Sequence, residues 1–186
     1  AMTEGFSEPD FEIVHYGIQA GSEPKPYTGD APNFLCIGRL IPIKGHVVLL
    51  RAFRKVLDEV PNATLEIAGR GVLEHGLKDL ARELDLQDSV KFLGHVTPVQ
   101  SSIEQSLAVV VPSLGEGFGM VALEAMERAR PVIAAAIGGL EDIVREGETG
   151  LLVPPGEADP LAEAMIALAK DPALANTRSE EHTSEL

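Results

Sequence analysis

Two carboxylates bracket a pair of glycines in the stretch EGFGMVALE, Glu116 to Glu124, which follows directly on the apolar run LAVVVPS. An apolar run followed by Gly-x-Gly predicts a buried strand, a sharp turn and a helix start. Gly117 and Gly119 carry no side chain that would keep a ligand from the backbone N–H groups of such a turn. The positive end of a helix dipole also favours anions there. A site for a bare phosphate would not surround itself with carboxylates. A site for a phosphate joined to a sugar would, because carboxylates accept hydrogen bonds from vicinal hydroxyls. The combination points to a nucleotide sugar.

Cations stand near a second apolar run. Arg39 follows Gly38 at the end of NFLCIG, and Lys44 lies at the start of the helical pattern that comes next. A lysine there opposes the helix dipole by roughly 0.3–1 kcal/mol, a penalty that an anion lying between Arg39, Lys44 and the helix end reverses. Glu124 shares a helix face with Met120 and Val121. A carboxylate on a mostly buried face needs a hydrogen-bonding partner, and a ribose diol is a suitable one. A competing pattern is present as well. Gly117, Gly119 and Ala122 fit the dinucleotide fingerprint G-x-G-x-x-G/A, with Glu141 and Asp142 at about the required distance. That fingerprint belongs on the first strand of its unit, whereas here it follows the fourth, and Glu116 stands where a pyrophosphate would lie. His15, His46, His75 and His95 have no metal-ligand spacing; His95, after Gly94, is the one placed in a strand-end turn.

The elements that position these residues alternate. Apolar runs lie at 33–38, 64–69, 89–94, 107–113, 131–136 and 149–154. Between the first two, Val48, Ala52, Val56 and Val60 with Leu49, Phe53 and Leu57 form the stripe of an amphipathic helix. Leu73, Leu77, Leu80, Ala81 and Leu84 form another. Thr97 and Pro98 read as an N-cap and first-turn proline of a short helix. Further helices are expected at 117–129, 139–146 and 159–169. This order predicts an α/β fold, a Rossmann-like doubly wound parallel sheet of about six strands with helices on both faces. In such sheets ligands bind outside the carboxyl ends of the strands.

Composition narrows the partners. A net charge of −14 argues against nucleic acid, and aromatics at 4% leave few stacking surfaces. No run reaches membrane-spanning length, so no integral membrane segment is expected. The one cysteine, Cys36, sits inside an apolar run as a small core residue, and a cytoplasmic protein is the expectation. Residues 1–29 read as the end of a preceding domain, with a strand at 12–18, followed by a Pro/Gly/Ser-rich linker. Residues 30–177 are expected to form the nucleotide-sugar-binding domain. RSEEHTSEL, 178–186, has no apolar periodicity and reads as a non-native tail.

The ordered set GRLIPIKG, LEIAGRG, VKFLGHV, VPSLGEGFGMVALEAM, RPVIAAAIGGLEDIV and GETGLLVPPGEADPLAEAM resembles the C-terminal half of family 4 retaining glycosyltransferases, of the GT-B fold. The resemblance covers about residues 13–171. It implies that Arg39 and Lys44, after Gly38, hold the donor diphosphate and that Glu116 contacts the donor hexose near the reacting centre. It implies further that the backbone from Gly117 through Phe118, Gly119, Met120 and Val121 meets hexose hydroxyls or phosphate. Glu124 would take the ribose hydroxyls, and the backbone near Val96 would meet the base. The resemblance also implies no bound metal and no cofactor beyond the nucleotide diphosphate sugar, with an acceptor held by a missing N-terminal domain. A nucleotide-sugar epimerase of similar architecture and a non-catalytic nucleotide-binding module are the alternatives. Two departures stand out. Ala129 or Arg130 occupies the place of a usual glycine, so the preceding helix is expected to end differently, and GVLEHGL lacks the usual proline.

Overall fold

The computed structural model of the chain describes residues 27–171; the strand expected at 12–18 and the tail at 178–186 lie outside them. Six strands form one parallel sheet: β1 Asn33–Ile37, β2 Thr64–Ala68, β3 Val90–Gly94, β4 Ala108–Val111, β5 Val132–Ala135 and β6 Gly150–Val153. Their order across the sheet is β3-β2-β1-β4-β5-β6. The chain winds outward from β1 to β3, returns to the centre, and winds the other way from β4 to β6. The reversal leaves a crevice beyond the carboxyl ends of β1 and β4, where open α/β sheets bind their ligands.

Side chains alternate along each strand and feed two cores, one per face. Phe34, Cys36, Ala108, Val110 and Ile133 enter one core, under α1 (His46–Glu59), α2 (Glu74–Glu83) and α6 (Ala158–Lys170). Leu35, Val109, Val111, Val132 and Ala134 enter the other, under α3 (Gln100–Glu104), α4 (Met120–Glu127) and α5 (Gly139–Ile143). Coverage on both faces is why the strands read as unbroken apolar runs. The helix α1 buries Leu49, Leu50, Ala52, Phe53 and Val56, and α6 buries Leu161, Met165 and Leu168. These two helices pack together, and Lys170 Nζ donates to Glu59 at 2.7 Å across their ends.

Three local expectations change. Thr97 does not cap α3, which begins at Gln100 without a side-chain cap; its hydroxyl lies 3.0 Å from His95 Nε2 instead. The helix expected from 117 starts at Met120, because Gly119 precedes it in a left-handed conformation. The end of α4 keeps the form that glycine usually provides. Ala129 adopts φ +50°, its N–H donates to the Met126 carbonyl at 2.8 Å, and the Arg130 N–H donates to the Ala125 carbonyl at 2.9 Å. That pair of bonds is the Schellman arrangement, made here at the steric cost of a Cβ in the left-handed region.

Candidate functional site

The turns after β1 and β4 face each other across the crevice. After β1 the chain makes one 3-10 turn, Pro42–Lys44, and α1 begins at His46. The Leu114 N–H donates to the Ile43 carbonyl at 2.7 Å and ties the two turns together. Lys44 Nζ donates to Glu116 Oε2 at 2.6 Å, and Ser113 Oγ donates to the same oxygen at 3.0 Å. The Glu116 side chain is 13% exposed. Burial alone would raise its pKa. Hydrogen bonds from Lys44 and Ser113, the Lys44 charge and the Gly117 N–H outweigh burial and hold the group below its ordinary value. Glu116 is therefore a fixed carboxylate with a cation in contact.

The next turn braces this loop from behind. Gly138, at φ +57°, packs so close that a Cβ on it would come within 2.1 Å of the Glu116 carbonyl oxygen. The Gly139 N–H donates to the Gly117 carbonyl at 3.2 Å. Gly119 is required for its own backbone, φ +82°, and because a Cβ there would meet Leu140 Cδ2 at 2.7 Å. Gly117 borders open space. Of the two glycines assigned from sequence to ligand access, one is thus held by packing and the other faces outward. Met120 and Val121 open α4, and their N–H groups precede the first acceptor of the helix, whereas the Ala122 N–H already donates to the Gly119 carbonyl at 2.9 Å.

Two cavities meet at the end of β1 and share Ile37. The first, about 300 Å³, is lined by Lys44, Glu116, Gly117, Phe118, Gly119, Met120 and Val121 among the expected residues. The second, about 310 Å³, is lined by Gly38, Arg39 and Val96. Glu124 lines neither. It is half-buried one turn beyond Met120 without a hydrogen bond among the described residues, and burial, with Glu127 as a smaller cause, pushes its pKa up. Arg39 is exposed, and its side chain makes no ion pair or hydrogen bond among the described residues. Sequence reasoning missed Ser113 and His46 in the first cavity and Arg70 in the second. His95 does line the second cavity and also meets Thr97 locally. The one available signal for His46 was a polar side chain on the apolar stripe of α1. Ser113 and Arg70 were legible only as strand-end residues.

Comparison with known proteins adds a family and a scale. Residues 22–184 match the family model described as glycosyl transferases group 1. The chain is 34% identical to a glycogen synthase of Mycobacterium tuberculosis, over 91% of this chain and 42% of that protein. It is 37% identical to a D-inositol 3-phosphate glycosyltransferase of Kribbella flavida, over 90% and 42% respectively. The fold superposes on the Anabaena protein HepE, in complex with UDP and glucose, with a TM-score of 0.77 and 27% identity, over 83% of this chain and 43% of that one. The chain therefore spans less than half the length of these relatives.

Proposed function

The chain belongs to the glycosyl transferases group 1 family, and from that premise we propose that it is the donor-binding half of a retaining glycosyltransferase. The reaction moves a hexose from a nucleoside diphosphate sugar to an acceptor held by a further domain, in keeping with the 42% of the relatives' length that the chain matches. The observation that carries the reading is the knot of Lys44, Glu116 and Ser113 at the mouth of a helix N-terminus, on the crevice between β1 and β4.

In this reading Arg39 and Lys44 hold the diphosphate, joined by the Met120 and Val121 N–H groups that open α4. Lys44 has three N–H donors and spends one on Glu116. As the bond between hexose and phosphate breaks, negative charge collects on the leaving diphosphate. The two cations and the helix dipole stabilise it in place, so that neither a metal ion nor a cofactor is needed. Glu116, oriented by Ser113 and Lys44, accepts hydrogen bonds from the hexose and favours positive charge at the reacting carbon. Glu124 takes the ribose hydroxyls, and the backbone near Val96, in the second cavity, meets the base. UDP, bound by HepE, is the first nucleotide to try. No helix among the described residues is long and apolar enough to cross a membrane, and we place the protein in the cytoplasm.

Calorimetric titration with UDP, ADP and GDP tests the assignment. Arg39→Ala and Lys44→Ala should each cost about 1.5–3 kcal/mol of binding, the range for charge-assisted hydrogen bonds. Unchanged affinity in both variants would sink it.

A further inference from the structure

His46 is left over by that reading. It is the first residue of α1 and only 1% exposed, and neither Nδ1 nor Nε2 has a hydrogen-bond partner among the described residues. Its ring borders the first cavity, with Lys44 and Glu116 on the same wall. The other inward positions of the helix are Leu49, Leu50, Ala52, Phe53 and Val56, all apolar. A leucine at 46 would serve the fold better than an imidazole with both nitrogens unmet, because an unpaired buried polar group is a net cost. A buried polar side chain that the fold leaves without a partner points to a ligand, and the cavity that the ring borders has room for one.

The chemistry of the ring narrows what that partner is. Burial, and secondarily the Lys44 charge, push the His46 pKa down to about 4. Near pH 7 the imidazole is neutral, with one N–H donor and one bare nitrogen acceptor. A phosphoryl oxygen would use the donor alone and leave the other nitrogen orphaned. Sugar hydroxyls would use both, since a hydroxyl both accepts and donates. We propose that His46 is a positioning residue for the hexose of the donor, taking hydroxyl groups on its two ring nitrogens from the floor of the cavity that Lys44 and Glu116 line. The proposal rests on the donor-binding reading and adds to it the residue that distinguishes a sugar-bearing diphosphate from a bare one.

The test compares UDP with UDP-glucose, and ADP and GDP with their glucose conjugates, by calorimetry on the parent chain, His46→Leu and His46→Gln. His46→Leu should weaken the sugar nucleotide about tenfold while leaving the bare diphosphate within about twofold. The same variant, without ligand, should melt at or above the parent temperature, because it removes an unpaired polar group. His46→Gln, which restores one donor and one acceptor, should recover part of the loss. Equal affinities for the sugar nucleotide in parent and His46→Leu would overturn the proposal and leave the donor-binding reading intact. So would a parallel loss of both ligands, or a lower melting temperature, which would assign the ring to the diphosphate or to the fold. A parent chain blind to all six ligands would remove both readings together.

Discussion

The two cavities beside β1 handle charge in opposite ways. In the second, Arg39 stands exposed and unpaired among the described residues, and Arg70, also exposed, lines the same cavity. In the first, the Lys44 cation is already in contact with Glu116, and Ser113 holds the same oxygen. An anion approaching a chain of net charge −14 meets exposed arginines at the second cavity. To enter the first it must compete with a carboxylate for Lys44. Attraction and selection are thus divided between neighbouring pockets. In the proposed donor-binding reading the exposed arginines would draw a diphosphate in, at a strength that salt would screen. The paired corner favours a ligand that both takes Lys44 and gives Glu116 something to accept, which a sugar hydroxyl does and a bare phosphate does not.

The steepest way to break this division is to remove the brace behind the paired corner. Gly138 has φ +57° and ψ −142°, a conformation nearly confined to glycine, with the Glu116 carbonyl against its Cα. Gly138→Ala should cost about 3 kcal/mol or more, from 1–3 kcal/mol of backbone strain with the clash added. That lowers the melting temperature by roughly 6–12 °C. A thermal melt with the parent alongside checks it; an unshifted transition would mean that this turn does not hold the Glu116 loop.

A change of opposite sign sharpens the contrast. Glu116→Gln removes the charge that competes for Lys44, so a bare nucleoside diphosphate should bind more tightly, by about tenfold or 1.4 kcal/mol. The hexose conjugate should gain less, because the amide accepts weaker hydrogen bonds than the carboxylate. Calorimetry on the two ligands in one buffer separates the effects. Weaker binding of the bare diphosphate would show that Glu116 helps hold Lys44 in place rather than competing for it.

The frame of this corner was legible in sequence because burial on both faces writes each parallel strand as an apolar run, and all six runs became strands. Lys44, Glu116 and the residues from Gly117 to Val121 were legible as one group because the order of strand, turn and helix brings strand ends to one edge. The exact start of α4 was not, since the helix read as opening at Gly117, whereas Gly119, at φ +82°, lies just before its first residue. Ala129 illustrates a second limit. Tertiary packing holds an alanine at φ +50° where local preference asks for glycine, so the helix end survives the missing residue. Gly138 and Ser113 were hidden for a third reason. Each matters through a contact with Glu116, and a contact between different turns leaves no periodicity to read.

The smallest expected effect lies at the second carboxylate of α4, and it reverses sign between stability and binding. Glu124 is half-buried without a hydrogen bond among the described residues; burial first and Glu127 second raise its pKa above the ordinary 4.5. A raised folded value means that the native state binds this proton more tightly than the unfolded chain does. The contribution of Glu124 to stability is therefore most favourable below pH 4.5 and is lost as pH rises through the folded value, so that at pH 7 the charged group is a net penalty. Glu116, with its lowered pKa, runs the other way and loses its contribution as pH falls below 4.5. Glu124→Gln should accordingly be slightly more stable than the parent at pH 7, by well under 1 kcal/mol for a group this solvated. The advantage should vanish below pH 4.5, where the parent is itself neutral. If Glu124 meets the ribose hydroxyls, the same variant should bind a nucleoside diphosphate about fivefold more weakly, the difference between a charged and a neutral acceptor. Paired melts across pH 4–8, with calorimetry at pH 7, test both halves. A variant that gains stability and keeps full affinity would release Glu124 from the donor site and leave Glu116 as its only carboxylate.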